Sequence, residues 1–302
     1  MRGRKAVHLT IYLLAFLFVV SGCTSPGSQS PPATSEPSIS NIPNQEISPD
    51  TGNSKVGETV ELIKTYEGFS SPTAVAIDKA GSIYVSNWGG NTVTKIDTEG
   101  NKTEFAEDMS SPAGLAFDET GNLYVSDYSD DIIYRVTPTG EKTVFMESSL
   151  NTPTGISFNK DGELLISNRG SNDIIKVTTQ GEITALFQGM NTPVGVVEDR
   201  TGNLIVTNYG GSVKKIASDG KVTDFSTEFG RPGVGIDVGP NGEIFAADNG
   251  DGCVRQIFSD GTTRIVVENI GGCVGVTVHN DILYVSSWND GVVYAYSIKI
   301  NR

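Results

Sequence analysis

The sequence predicts an all-β fold, a six-bladed β-propeller of four-stranded antiparallel blades closed by an N-terminal strand that completes the last blade. Three observations carry this expectation. A small residue followed by an alternating apolar run recurs at Ala74, Gly114, Gly155, Gly195, Gly235 and Gly275, with spacings of 40, 41, 40, 40 and 40. Each repeat holds four short runs of β-formers bounded by Asp, Asn, Gly or Thr. The sixth repeat stops after its third run, Val292–Tyr296, and the missing fourth is present in advance as Val60–Tyr66. Composition agrees: 35 glycines without a collagen period, 8% aromatic and only 19% charged residues suit turn-rich β structure. A net charge of −14 repels nucleic acid, so DNA and RNA are poor partners.

The chain opens with an address. Met1–His8 carries three basic residues and no acid, and Leu9–Val20 is an apolar run too short to span a bilayer. Val20-Ser21-Gly22-Cys23 follows and resembles a bacterial-type lipoprotein cleavage box. We read residues 1–22 as a lipoprotein signal peptide and Cys23 as the site of lipid attachment. The protein would then be extracytoplasmic, held at the cell surface or in the periplasm by its lipid alone. Residues 23–58 form the tether: six prolines among Ser, Thr, Asn and Gln, no aromatic residue, and too little apolar surface to offset the entropy of ordering. Residues 59–302 form the propeller, expected as a monomer.

Within one repeat, Ser111–Asp118 gives the first strand, a turn closes at Gly121, and Asn122–Asp127 gives the second. Ile132–Val136 and Lys142–Phe145 follow as the third and fourth. The second strand is apolar on both faces: Ile83/Val85 and its counterparts on one side, Tyr84, Tyr124, Leu165, Ile205, Phe245 and Tyr284 on the other. A strand apolar on both faces is covered on both, as in a blade stacked between neighbours. Strand Val60–Tyr66 closes the ring and removes the open edge.

The Pro-x-Gly run, the Asp-x-x-Gly turn (Asp118 to Gly121, Asp199 to Gly202) and the closing Ser/Thr-Asn/Asp pair resemble NHL-type six-bladed propellers and their relatives. Those relatives are the gluconolactonase (senescence-marker-like) proteins and the streptogramin lyases. The resemblance covers the chain beyond the tether and implies the fold more firmly than an activity, because this fold hosts enzymes and binding platforms alike.

The loops entering each first strand and leaving each second strand share one face. The outgoing loops read Asn87-Trp88, Asp127-Tyr128, Asn168-Arg169, Asn208-Tyr209, Asp248-Asn249 and Ser287-Trp288. The Asn/Asp member, present in five of six blades, is expected to cap backbone N–H groups of the following loop. Trp88, Tyr128, Arg169, Tyr209, Asn249 and Trp288 have the composition of a recognition rim. The competing reading is that each ring packs on its own loop.

The resemblance to lactonases implies an Asn or Asp metal ligand just before the marker residue. Thr73, Ala113, Thr154, Val194, Val234 and Val274 stand there instead. The resemblance to streptogramin lyases implies two histidines with a glutamate, yet beyond the signal the only histidine is His279, in a turn on the opposite face.

Two acids break the repeat. Glu198 stands where other units carry Ile77, Phe117, Phe158, Val238 and Val278, and Asp237 replaces Ala76, Ala116, Ser157, Val197 or Thr277. Either they line the central channel and hold a hard cation such as Ca²⁺, or Glu198 meets solvent at a strand end and Asp237 caps a neighbour. Cys253 and Cys273 open strands on one face of neighbouring blades, which predicts a disulfide.

The expected function is a lipid-anchored, non-catalytic binding module for a protein, peptide or glycan, with the acidic surface favouring neutral or cationic partners. The alternative is a metal-dependent hydrolase, lactonase or lyase of the gluconolactonase and streptogramin-lyase superfamily.

Overall fold

In the computed structural model the described residues are 59–299, so the expected signal peptide, Cys23 and the expected tether lie outside them. These residues form six four-stranded antiparallel sheets and no helix. Five sheets are built from strands consecutive in sequence. In blade 1 these are Pro72–Ile77, Ile83–Asn87, Thr92–Ile96 and Lys102–Ala106. The sixth sheet runs Cys273–His279, Ile282–Ser287, Val292–Lys299 and then Thr59–Tyr66, which pairs antiparallel with Val292–Lys299 from Thr59↔Lys299 to Tyr66↔Val293.

The core lies between blades. All five residues of the second strand are buried in blades 1 to 5. Tyr84 stands edge-on to Phe105 of its own blade and to Phe117 of the next, with ring centroids 4.9 Å apart in both pairs. Tyr124 repeats the arrangement with Phe145 and Phe158. Such edge-to-face pairs add about 0.5–1.5 kcal/mol beyond burial.

The marker residue is small because a neighbouring main chain is close. A Cβ on Gly114 would fall 2.4 Å from the carbonyl oxygen of Thr154 in the next blade. At this point the first strand slips out of register with the second, between Pro112 and Leu115 in blade 2 and at equivalent places elsewhere. In blades 1, 2 and 6 the second-strand serine repairs the slip and joins the blades. Gly114 N–H donates to Ser126 Oγ, and that hydroxyl donates to the Thr154 carbonyl. Ser86 joins Ala74 to Ala113 in the same way, and Ser286 joins Gly275 to Thr73 across the seam between the last blade and the first.

In blades 1 to 4 the turn between the first and second strands, opposite the rim, is an Asx turn. Asp118 Oδ1 accepts from the N–H groups of Thr120 and Asn122 while Gly121 takes a φ of +88°. Burial alone would raise the Asp118 carboxyl. The Asn122 and Thr120 donors outweigh it and hold the group below 3.8.

The predicted disulfide is not formed. Cys253 and Cys273 are free thiols, both buried, and Cys273 sits in an apolar cluster with Val254, Val267 and Phe245. Cys273 is enclosed as a small hydrophobe between blades 5 and 6, and Cys253 is buried beside Arg255 and Asp248. Burial pushes the Cys253 thiol up to about 11 and raises Cys273 as well. Neither therefore supplies thiolate at neutral pH. Ellman's reagent should leave both unmodified in the native protein and titrate both once the chain is unfolded. Rapid native reaction would contradict this enclosure.

Candidate ligand funnel

The outgoing loops are set by the Asn/Asp that ends each second strand. Asp127 accepts from the N–H groups of Ser110 and Ser111, Asn87 from Ser70, Asn168 from Asn151 and Asn208 from Asn191. These donors lie in the incoming loop some seventeen residues earlier, so the capping role holds but its main recipient is the preceding loop. The next residue then bonds back to that loop: Trp88 N–H to Ser71, Tyr128 N–H to Ser111, Tyr209 N–H to Thr192 and Trp288 N–H to Gly272. Two loops are thereby locked together in each blade, and the side chain after the cap projects over the axis.

All six predicted rim residues line one cavity of about 510 Å³. Five of them meet across blades rather than each packing on its own loop, and Asn249 meets Arg231 of its own blade. Trp88 lies 4.8 Å from the Tyr128 ring and 5.5 Å from Trp288. The Arg169 guanidinium lies 5.6 Å from the Tyr128 ring and 5.0 Å from Tyr209, and its Nη1 donates to Tyr128 Oη. Sequence reasoning missed Arg231, which lies 5.4 Å from the Tyr209 ring and donates from Nη2 to Asn249 Oδ1 at 2.7 Å. The signal was available: the position before the strand proline is Ser71, Ser111, Thr152 and Thr192 in blades 1 to 4. The floor includes Thr73, Thr154, Val194, Val234 and Val274, the places where a lactonase-type metal ligand was sought. Among the lining residues there is no histidine, Asp or Glu. Local charge therefore runs opposite to that of the whole protein.

Glu198 and Asp237 are not brought together as a cation site. Glu198 turns towards blade 3, where Oε2 accepts from the Lys160 N–H at 2.8 Å and Oε1 lies 3.7 Å from Lys160 Nζ. Asp237 turns towards blade 6, where Oδ2 accepts from Thr277 Oγ1 and the Val278 N–H, each at 2.8 Å. Burial raises the Asp237 carboxyl despite these donors. Asp237 and His279 line a second cavity further along the first strands, of about 330 Å³, and Glu198 does not. No group of three or more metal-binding side chains occurs among the described residues.

The family model described as the virginiamycin B lyase family matches residues 50–281, most of the chain. The chain belongs to the virginiamycin B lyase family. Among solved structures, a catalytically inactive virginiamycin B lyase from Staphylococcus aureus with quinupristin is similar at 17% identity and a TM-score of 0.62, over 76% of this chain and 80% of that one. A gluconolactonase from Xanthomonas campestris is similar at 16% identity and a TM-score of 0.68, over 78% and 88%. At these identities the likeness is one of fold. No curated protein sequence matches the chain. Within the virginiamycin B lyase family, then, this member carries an aromatic and cationic funnel in which the lining residues include no histidine.

Proposed function

We propose that this family member is a lipid-anchored extracytoplasmic binding module that holds a peptide or glycan ligand, free or displayed on a protein, in the funnel. The supporting observation is the convergence of Trp88, Tyr128, Arg169, Tyr209, Asn249 and Trp288, one from each blade, around one cavity. Aromatic rings supply large rigid contact area at low entropic cost, and the arginines and Asn249 supply orientation.

A thermal-shift screen of peptides and glycans tests the reading. A ligand at a hundred times its Kd stabilises by about 2.7 kcal/mol. Hits should disappear in Trp88→Ala and Tyr209→Ala, and hits that persist in both would place binding elsewhere. Anchoring is tested on membrane-extracted protein by mass spectrometry. A thioether-lipidated Cys23 leaves two titratable thiols after unfolding rather than three.

Family membership favours a second reading, a lyase or metal-dependent hydrolase. Incubation with quinupristin and with a lactone panel, with and without Ca²⁺, separates the two. Turnover above the uncatalysed rate that is lost on changing funnel residues would make the protein an enzyme.

A further inference from the structure

We propose that the funnel selects an anionic ligand, one carrying a carboxylate or phosphate beside a flat apolar group, and that Arg169 and Arg231 are the residues that read the anion. The inference rests on the funnel being the binding site and names the chemistry it takes.

The two guanidiniums flank the Tyr209 ring, at 5.0 and 5.4 Å from its centroid. Each is oriented by a neutral partner, Tyr128 Oη for Arg169 and Asn249 Oδ1 for Arg231. Neither forms an ion pair among the described residues. A guanidinium has five N–H donors in a planar fork, so one neutral hydrogen bond fixes its plane and leaves an edge for a ligand.

Arg255 in blade 5 is the contrast, since its guanidinium meets both Asp248 and Asp251. The acids of the surrounding loops are committed away from the funnel. Asp130 accepts from Ser110 Oγ, Asp131 from the Thr152 N–H, and Asp290 from Ser287 Oγ. Two cations without counter-charges, in a protein of net charge −14, mark a place where the negative charge comes from the ligand. Trp88 and Trp288, 5.5 Å apart on the opposite side of the rim, supply the faces for its flat part.

The site carries its own reporter. The chain has two tryptophans and both line the funnel, so both indole N–H signals in a ¹⁵N–¹H spectrum report on it. The experiment titrates 2-naphthoate, 2-naphthyl phosphate and neutral 2-naphthamide into the wild type and into an Arg169→Gln/Arg231→Gln variant. The expected result is that at least one anion binds about tenfold or more tightly than the amide, as charge-assisted bonds to arginine require. The double variant should lose that preference, and an unchanged melting temperature with both indole signals still dispersed in the ligand-free variant shows that its funnel is intact. The carboxylate and phosphate arms tell which anion fits better. Equal binding of anions and amide to the wild type would overturn the anion assignment and leave the funnel standing. Anion preference that survives in the double variant would overturn the role of the two arginines. No shift of either indole signal by any probe would overturn the funnel reading itself.

Discussion

Asp248→Ala is expected to lower the stability of the propeller by about 3–5 kcal/mol, the cost of removing one partner from a buried ion pair. Asp248 is fully buried and uses both oxygens. Oδ1 accepts from the Arg231 N–H at 2.9 Å, and Oδ2 accepts from the Gly230 N–H at 3.0 Å and from Arg255 Nε at 2.9 Å. Truncation leaves two loop N–H groups without their acceptor and takes from the largely buried Arg255 guanidinium its one fully buried partner, leaving it the half-exposed Asp251. The same change frees the backbone of Arg231 and so loosens one wall of the funnel. Asp248→Asn keeps an acceptor and should cost less. Urea unfolding at neutral pH measures both, and a loss below about 1 kcal/mol for the alanine variant would mean that the pair contributes no more than an exposed one.

The pH dependence has a definite sign. Burial by itself would raise the Asp248 carboxyl, but the Arg231 N–H, the Arg255 guanidinium and the Gly230 N–H together hold it below its ordinary 3.8. A folded value below the unfolded one means that the contribution is present above 3.8 and is lost as pH falls through the folded value. Asp237 acts in the opposite sense. Its folded value is raised, so its contribution is present below 3.8 and is lost as pH rises through the folded value. The Asp248→Asn variant should therefore show a shallower loss of stability on the acid side than the wild type.

The ring was legible because blades are copies, and a copied unit reveals which positions every blade needs. The marker glycines, the apolar second strands and the early fourth strand all follow from that comparison. Positions that differ between copies are harder, because the repeat tells where a side chain starts but not which neighbour it meets. Glu198 and Asp237 looked adjacent, yet the forty-residue period places Glu198 in register with Val238, one step beyond Asp237. Side chains alternate along a strand, so that one step turns the two carboxylates towards opposite neighbours. Arg231 is hidden for a related reason, since it enters the funnel from the incoming loop, whereas the aromatic pattern of the rim lies in the outgoing ones. For Cys253 and Cys273 the repeat supplies strand position alone, which does not fix whether two sulfurs meet.

Gly275→Val should prevent stable closure of the ring. A Cβ at Gly275 would fall 2.2 Å from the carbonyl oxygen of Thr73 and 2.6 Å from Ser286 Oγ. Thr73 belongs to the first blade and Gly275 to the last, so the clash sits on the seam that makes the array a ring. The obstacle is main chain, which cannot change rotamer. Moving Thr73 away breaks the bond it accepts from Ser286 Oγ at 2.9 Å, and with it the alignment that lets the same hydroxyl receive the Gly275 N–H. Overfilling a well-packed site costs about 1–3 kcal/mol when side chains can yield. Here a shift at one seam must be absorbed by the other blades of a closed circle, so the valine variant should lose more than about 3 kcal/mol and the alanine variant about 2 kcal/mol. Ala74 occupies the same repeat position in blade 1, and Ala74→Gly should cost no more than about 1 kcal/mol. Thermal melts followed by circular dichroism compare the three, a loss of 1 kcal/mol corresponding to about 2–4 °C in a domain of this size. If Gly275→Ala melts with the wild type, the first and last blades do not meet as closely as the glycine implies. The six loops would then lack the shared axis that brings Trp88 and Trp288 together.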